Sequence, residues 1–313
     1  MEKLELIFDT DVGADCDDMM ALSYLVYAKR NLNLDIKAVT HSNSKEACTA
    51  AIRLFFENLG EEVPPIGRAV EGTKGYDNYG GAILERFGKG RTFPTEPDAV
   101  SVLRRSLVEA KNKAVICAVG PFANIAALLE SKGDDISPLD GVSLMKEKCE
   151  KLVLMAGGFV NGEDGRPVPE WNVKVHIDAS QKMVTLCPVP IVFVPFELGL
   201  GMITGKPAMD KFGEDTPLSL SFIKYGNTQK VGGRHSWDPA TAVYAVEGLK
   251  DFFCEDLRGT VTVDDEGRTL MSQDPNGLHS VVTLRFAQGE DEKACKARVA
   301  AYIDACAMSA YGA

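Results

Sequence analysis

Short apolar runs alternate with segments of helical periodicity along most of this chain, and this alternation restricts the possible folds more than any other feature. LELIF (4–8) is followed by DDMMALSYLVYAKR (17–30), in which apolar residues recur at helical spacing. LDIKAVTHS (34–42) and KEACTAAIRLFFENLG (45–60) repeat this order. Apolar strands linked through helices form parallel sheets that are covered on both faces. We therefore predict an α/β fold, with a mainly parallel sheet and helices on both faces.

The C-terminal part of the chain has a different pattern. A β-hairpin is predicted at 257–270 with its turn near DDEG, a strand at 279–287, and a closing helix over roughly the last 20 residues. The Gly- and Tyr-rich segment 71–98 is expected to be a long loop. No linker or composition shift divides the chain, so 1–313 is interpreted as a single domain. The other predicted elements are strands at 63–70, 114–120, 151–158 and 190–196, and helices at 98–112 (with Asp98 as N-cap), 121–131 and from 238.

Composition excludes several classes of partner. The chain carries 45 acidic and 34 basic residues, a net charge of −11, which disfavours nucleic acid and anionic membrane surfaces. No apolar stretch reaches the ~18 residues of a membrane span. The eight cysteines form no CxxC pair and no zinc-ligand spacing, and several lie in apolar runs, so buried free thiols are expected. Together with the first strand beginning near Leu4, this leads us to expect a cytoplasmic protein without nucleic-acid or membrane partners.

Five aspartates follow the first apolar run within ten residues, in DTDVGADCDD (9–18). Ligands of open α/β sheets bind beyond the carboxyl ends of the strands, where Asp9 and Asp11 are placed. Acidic residues at the start of the next helix are common, because the helix dipole tolerates them. That explanation covers Asp17 and Asp18 but not Asp9 and Asp11. Carboxylates this close repel one another, so either some are protonated or a hard cation such as Ca²⁺ or Mg²⁺ neutralises them.

Two other aspartate motifs were compared with this segment. An EF-hand loop that began at Asp9 would need Gly at its sixth position and Glu at its twelfth, where the chain has Ala14 and Met20. A DxD-type phosphatase also places an aspartate nucleophile after a buried strand, and DTDVG matches it loosely. Such an enzyme does not need the further carboxylates Asp17 and Asp18. The phosphatase therefore stays an alternative.

DTDVGADCDDMMAL resembles the N-terminal signature of the nucleoside hydrolases, the inosine–uridine-preferring class, in a subgroup with a two-residue insertion (DTDxGxDxDD). Three later segments are similar to family segments in the same order: AVGPFANIAALLE, LVLMAGG with PEWNVKVHIDA, and SWDPATAVYAV. The resemblance covers nearly the whole chain and implies the nucleoside hydrolase fold, with a Rossmann-like core. It also implies hydrolysis of the N-glycosidic bond of ribonucleosides to ribose and free base.

The resemblance implies a metal site with one Ca²⁺ per chain. Asp11 would bind the ion and accept the proton of the attacking water. Asp18 and Asp238 would be further ligands, together with the backbone carbonyl of Val119, which stands where the family has a Thr carbonyl. A carbonyl ligand does not depend on the side chain. Asp15 belongs to the insertion and has no assigned role.

The resemblance also implies a set of ribose contacts. Asp17 would hydrogen-bond a ribose hydroxyl, and the other substrate-binding residues would be Asn43, Asn161, Glu170 and Asn172. The family's AGN motif is not intact around Asn43, and the loop before Glu170 does not align cleanly. For each Asn the competing interpretation is a surface turn.

This chain differs from many family members at the position whose side chain would protonate the leaving base. They have His directly before the last metal-binding Asp, whereas this chain has Trp237, which cannot act as a general acid. A purine-preferring branch also has Trp there and stacks the base between aromatic rings. Tyr76 and Tyr79 are candidates for the second ring. Acid catalysis by His235 or His41 stays open, since a lone His near a pocket is as often a structural donor.

The functional hypothesis is therefore a ribonucleoside hydrolase that slightly favours purine nucleosides, with Trp237 or His235 assisting the departure of the base. An alternative is a ribonucleoside- or ribose-binding protein on the same fold that has lost catalysis. By family analogy we expect a homodimer or homotetramer.

Overall fold

A nine-stranded sheet forms the centre of the computed structural model, which describes residues 2–313 apart from the side chain at position 256. Its strand order is β10-β9-β11-β6-β5-β4-β1-β2-β3, and a separate pair joins β7 to β8. The strands are β1 (Leu4–Thr10), β2 (Leu34–His41), β3 (Ile66–Gly67), β4 (Ala114–Ala118), β5 (Cys149–Met155), β6 (Ile191–Val194), β7 (Ile203–Gly205), β8 (Gly233–His235), β9 (Phe253–Val263), β10 (Thr269–Gln273) and β11 (His279–Leu284).

Helices follow most of the strands and cover both faces of the sheet. They are α1 (Asp17–Asn31), α2 (Glu46–Asn58), α3 (Gly80–Gly88), α4 (Ala99–Glu109), α5 (Ala123–Glu130), α6 (Gly141–Lys148), α7 (Trp171–Lys174), α8 (Ile177–Leu186), α9 (Phe196–Gly199), α10 (Lys206–Phe212), α11 (Pro217–Lys224), α12 (Thr228–Val231), α13 (Trp237–Glu247) and α14 (Glu292–Ala310). Among the described residues, no helix combines the length and the apolar character needed to cross a membrane.

Strand β1 shows how the sheet separates two apolar cores. Leu6 and Phe8 point to the face covered by α1, α2, α13 and α14, whereas Ile7 points to the face covered by α4, α5, α6 and α8. All three side chains are fully buried. An apolar run without polar alternation is what a parallel strand buried on both faces requires. The predicted α/β class with a mainly parallel sheet is therefore confirmed.

The C-terminal hairpin is part of the main sheet and not an appendage. Strands β9 and β10 pair antiparallel, as predicted, but β11 then pairs parallel with β6 and antiparallel with β9. The sheet is therefore mixed at this edge. The expected closing helix is α14.

The prediction of a continuous loop at 71–98 is wrong, because α3 (Gly80–Gly88) lies within it. Two glycines at the start of this helix weaken its helical sequence pattern. The helix nevertheless has an apolar face, on which Ile83 is fully buried. Gly80 is needed for close packing, since a Cβ there would lie 2.9 Å from the Cα of Cys48 in α2. Close helix–helix approach, and not flexibility, accounts for this glycine.

The turn after β4 makes a similar close approach to the end of β1. A Cβ on Gly120 would meet the Ser42 hydroxyl and lie 2.9 Å from both the backbone N and the Cβ of Asp11. The neighbouring Val119 N–H donates to the Asp9 carbonyl at 2.8 Å. Strands β1 and β4 thus hold their carboxyl ends in contact, and any side chain at position 120 would displace Asp11.

We predict that Gly120→Ala destabilises the protein by about 1–3 kcal/mol, because the added methyl overpacks against backbone atoms that cannot move independently. Chemical denaturation monitored by circular dichroism measures this change. Gly81→Ala is the matched control: its Cβ would meet only the Asp77 carboxylate, at 3.3 Å, and α3 gains helix propensity. Equal stability of the two variants would contradict the proposed close approach.

Candidate active site

Aspartates from three places in the chain meet at the carboxyl edge of the sheet. Asp11 follows β1, Asp17 and Asp18 begin α1, and Asp238 lies in the first turn of α13. Ligand oxygens of Asp17, Asp18 and Asp238 all lie within 4.8 Å of one another. Asp11 lines the same cavity, and all four side chains are buried.

Two of these carboxylates are held by hydrogen bonds from opposite sides. Asp17 Oδ2 accepts the backbone N–H groups of Trp237 at 3.0 Å and Asp238 at 3.1 Å, so it caps α13 from another helix. Asp18 Oδ1 accepts the Thr10 hydroxyl and the Asp11 backbone N–H. Among the described residues, Asp18 Oδ2 is buried with no hydrogen-bond partner. An ordered water or a bound ion can supply the partner that such an oxygen lacks.

The raised pKa values of the four acids also indicate that the site lacks a counter-charge. Burial raises the pKa of Asp11 and of Asp238 well above the usual range, and neighbouring carboxylates raise both further. The pKa values of Asp17 and Asp18 are raised by the same two causes. Like charges in a desolvated site cannot all ionise without a counter-charge.

The residues present fit a divalent cation. A hard ion with oxygen ligands would satisfy Asp18 Oδ2 and neutralise the clustered carboxylates. The Val119 carbonyl lines the cavity beside them and already accepts the Asn172 amide at 2.7 Å, which leaves its second lone pair. The acids whose ligand oxygens lie closest together are Asp17, Asp18 and Asp238. Asp11, which belongs to the predicted ligand set, lines the same cavity, and its backbone N–H donates to Asp18 Oδ1.

The acids form one end of a cavity of about 440 Å³, a size that suits a small organic ligand. Aromatic side chains form much of the rest of its lining: Tyr76, Trp171, Phe196, Tyr225 and Trp237. One cation, Arg234, is present among the described residues that line it. The cavity therefore has an anionic end and an aromatic end.

The family model for the inosine-uridine preferring nucleoside hydrolases matches residues 6–309, nearly the whole chain. The chain belongs to this family. The match places both the carboxylate cluster and the aromatic wall within the family domain, and confirms the resemblance drawn from the aspartate signature.

Individual relatives of this nucleoside hydrolase differ in their described specificity. The pyrimidine-specific ribonucleoside hydrolase RihA of Citrobacter koseri is 26% identical over 212 residues, which are 62% of this chain and 61% of that protein. The chain therefore aligns with less than two thirds of that relative. The inosine-uridine preferring nucleoside hydrolase of Bacillus anthracis has a similar structure, with a TM-score of 0.69, 18% identity and coverage of 97% and 99% of the two chains. The purine-preferring ribonucleoside hydrolase of Gardnerella vaginalis gives a TM-score of 0.67, 18% identity and the same coverage.

Glu170 and Asn172, two of the predicted ribose contacts of this nucleoside hydrolase, line the cavity. Glu170 is the N-cap of α7 and accepts the backbone N–H groups of Asn172 at 2.8 Å and Val173 at 3.2 Å. Burial raises its pKa to about 7. The Asn172 amide donates to the Val119 and Met155 carbonyls, so both side chains are fixed in place without a ligand.

Two other predicted ribose contacts do not line the cavity of the nucleoside hydrolase. The Asn43 amide donates to the Val12 and Tyr76 carbonyls, and its oxygen accepts the N–H groups of Lys45 and Tyr76. These bonds fasten the loop that carries Tyr76. Asn161 is exposed and forms a bridge with Pro167. For both, the surroundings are those of a structural residue.

Neither candidate histidine reaches the cavity. His41 is fully buried between the Thr49 hydroxyl at 2.8 Å and the Val12 carbonyl at 2.9 Å, and burial lowers its pKa to about 4. His235 Nδ1 accepts the Gly201 N–H at 2.9 Å, and burial, with Arg234 beside it, lowers its pKa. A general acid must be protonated near neutral pH, which a lowered pKa disfavours.

Trp237 lines the cavity directly next to Asp238, as its sequence position suggests. Its indole N–H donates to the Phe196 carbonyl at 2.8 Å, and the two rings are stacked with centroids 5.4 Å apart. A Cβ on Gly199 would lie 2.7 Å from the Trp237 Cα, so α9 packs its backbone against this residue. Of the two tyrosines considered for the second ring, Tyr76 lines the cavity, whereas Tyr79 is buried and donates to the Asp15 carbonyl.

The ion pair between Asp15 and Arg234 at the aromatic end was not predicted from the sequence. Asp15, which had no assigned role, accepts hydrogen bonds from Nε and Nη2 of Arg234 and from the Tyr225 hydroxyl. Arg234 lies on β8, far from the aspartates in sequence. No local motif links positions 15 and 234. The only available signal was the unexplained fifth aspartate itself.

The stability of the metal-free nucleoside hydrolase should fall as pH rises. Burial and the neighbouring carboxylates raise the pKa of the four clustered acids well above the usual aspartate range, so the folded state favours their protonated forms. Stability linked to these groups is therefore fully present below about pH 4 and is lost as pH rises through their folded pKa values. Chelator-treated protein should melt at a lower temperature at about pH 8 than at about pH 6.

Added Ca²⁺ should remove most of this dependence, because the ion replaces the protons. Thermal melts at several pH values, with chelator and with CaCl₂, test the expectation. Parallel pH profiles with and without the ion would show that the acids do not form a cation site.

Proposed function

We propose that this protein hydrolyses the N-glycosidic bond of ribonucleosides to ribose and free base, with one Ca²⁺ per chain. The observation that carries the proposal is a single cavity lined by three buried aspartates, with Asp18 beside them, and by aromatic side chains, in a member of the nucleoside hydrolase family. The bond to be broken joins a sugar, whose transition state is cationic, to a flat base. An anionic end stabilises the developing sugar cation, and an aromatic end accommodates the base.

At the anionic end, we assign the ion to Asp11, Asp18, Asp238 and the Val119 carbonyl. Bound Ca²⁺ would neutralise these acids, polarise the attacking water and hold ribose hydroxyls. Asp11 accepts the proton of the water, since its carboxylate lines the cavity beside the proposed ion. Glu170 and Asn172 hold the ribose, together with the Asp17 oxygen that does not cap α13.

At the aromatic end, we propose that the base lies against the wall that includes Trp237, Phe196 and Tyr76. Base–aromatic stacking is worth about 1–3 kcal/mol per base and grows with the area of the ring system. This favours purine over pyrimidine nucleosides slightly. The relatives do not decide the preference, since RihA is described as pyrimidine-specific and the Gardnerella enzyme as purine-preferring.

Purified protein should release ribose from inosine and, more slowly, from uridine, in a reducing-sugar assay over a nucleoside panel. A chelator should stop the reaction and Ca²⁺ should restore it. Asp18→Asn should contain no stoichiometric metal and lose at least about 10³-fold in turnover, because the oxygen without a partner is lost. Asp135→Asn, a change of an exposed acid, is the matched control.

The same assay separates the alternatives. Nucleoside binding without ribose release would favour a binding protein on this fold, and phosphate release from phosphorylated substrates would favour the DxD-type phosphatase. Metal analysis of Asp11→Asn and Asp17→Asn then decides which of these two acids completes the ligand set with Asp18 and Asp238.

The leaving base can be tested through Trp237 and His235. Trp237→Ala removes one side of the aromatic wall and should lower turnover of inosine by about 10²-fold or more. His235→Ala should change it by less than about fivefold, because its ring does not line the cavity. Steady-state kinetics on inosine measure both. Loss of activity in His235→Ala with retention in Trp237→Ala would reverse the assignment.

A further inference from the structure

We propose that Arg234 is the electrophile that stabilises the departing base, and that it makes 6-oxopurine nucleosides better substrates than adenosine. This inference rests on the proposed nucleoside hydrolysis and extends it to a residue and a substrate class. It starts from a gap at the site: Trp237, next to Asp238, cannot act as a general acid, and neither His235 nor His41 lines the cavity.

Arg234 is held in one orientation at the aromatic end. Its Nε and Nη2 donate to both carboxylate oxygens of Asp15, and Nη2 lies 3.4 Å from the Tyr225 hydroxyl. Its guanidinium carbon lies 4.9 Å from the centroid of the Trp237 ring and 5.1 Å from that of Tyr225. A guanidinium fixed by a carboxylate and two aromatic rings is preorganised, so it does not need to reorient during the reaction.

The guanidinium still has donors for a ligand. The described hydrogen bonds of Arg234 use Nε and Nη2, and none uses Nη1. Among the described residues that line the cavity, Arg234 is the one cation, and it is placed beside the residue that precedes Asp238. Asp15 raises the pKa of Arg234, so this side chain donates hydrogen bonds and does not release a proton.

The step can be written with its atoms and electrons balanced. The C1′–N bond breaks, and its electron pair moves to the base, which becomes negatively charged. The water oxygen bonds to C1′ and gives one proton to Asp11. The Nη1 donors of Arg234 stabilise the anionic base until solvent protonates it, which yields ribose and the neutral base. Arg234 thus lowers the barrier without being consumed or deprotonated.

The same donors discriminate among bases. Hypoxanthine and guanine present O6 and N7 as neighbouring acceptors, which is the edge that Arg recognises in nucleic acids. Adenine presents an amino group at position 6, a donor that opposes the guanidinium. An oxygen at C6 also carries part of the negative charge of the leaving base. Both effects favour inosine and guanosine over adenosine.

Arg234→Met keeps most of the side-chain volume and removes every donor. It should lower kcat on inosine by about 10²-fold, as loss of a transition-state donor does. Turnover of 4-nitrophenyl riboside, whose leaving group needs no help, should change by less than about threefold. The wild-type preference for inosine over adenosine in kcat/KM, of at least about fivefold, should collapse in this variant. Asp15→Asn, which loosens Arg234, should show the same pattern more weakly.

Arg86→Met, which removes an exposed surface arginine paired with Asp215, is the control and should match the wild type. Retained activity on 4-nitrophenyl riboside reports a folded site, and Arg234→Lys supplies a second variant should the methionine chain not fold. Equal losses on both substrates would assign Arg234 a purely structural role and overturn the inference. A wild type that is active on 4-nitrophenyl riboside and equally fast on inosine and adenosine overturns only the substrate class. A wild type that cleaves no riboside overturns the proposed function itself.

Discussion

Mutual repulsion among buried carboxylates is the interaction on which the rest of this site depends. Strand β1 delivers Asp11 to the sheet edge, and the turn at Gly13, whose φ is +102°, brings Asp17 and Asp18 back beside it. Helix α13 adds Asp238. Burying these acids is unfavourable unless each finds hydrogen bonds or a counter-charge. The fold provides hydrogen bonds for some oxygens and leaves Asp18 Oδ2 without one among the described residues, so the proposed cation would complete the folded structure as well as the site.

Charge is separated along the cavity in a way that fits heterolytic cleavage. The end proposed for the sugar has Asp11, Asp17 and Asp238 in its lining and Asp18 beside them, and the end proposed for the base has Arg234 with its guanidinium fixed by Asp15. Breaking the bond places positive charge on the sugar and negative charge on the base, and each charge develops towards side chains of the opposite sign. Asp15 has a part in both ends: its charge raises the pKa of Asp11, and it also orients the guanidinium. One inserted aspartate therefore connects the two halves of the site.

The sequence predicted the elements whose signals are local. Each buried strand of the parallel part of the sheet was visible as an apolar run, and the Asp98 N-cap of α4 was found, with its carboxylate accepting the Ser101 N–H. Helix α3 was not predicted because glycine-rich composition was interpreted as a sign of a flexible loop. Its glycine at position 80 instead allows close packing against α2. The mixed pairing at the edge of the sheet was not predicted, because β11 joins β6 to β9 through contacts between residues far apart in sequence.

Within the site as well, residues in local motifs were predicted, whereas residues placed by tertiary packing were not. The aspartates, Glu170 and Asn172 were found from motifs, and they do line or adjoin the cavity. Asn43 and His41 occupy motif-like positions, but Asn43 bonds to backbone groups and His41 to the Val12 carbonyl and the Thr49 hydroxyl, and these partners are decided by tertiary packing alone. Arg234 carried no motif. Its relevance arises because β8 pairs with β7 and presents the residue to Asp15 across most of the chain.

The two ends of the cavity also differ in the exposure of their side chains, and this difference bears on specificity. At the sugar end, Asp17 caps α13 and Glu170 caps α7, so each carboxylate is oriented by backbone N–H groups before a ligand arrives. At the base end, Trp171 is 48% exposed and meets Tyr76 edge-to-face at the cavity wall. Groups fixed by helix ends tolerate little variation in the ligand, whereas partly exposed aromatic rings can be exchanged at small cost. The proposed strict recognition of ribose, with aromatic rings at the proposed base end that can be exchanged, is consistent with a family whose members are described as pyrimidine-specific in one case and purine-preferring in another.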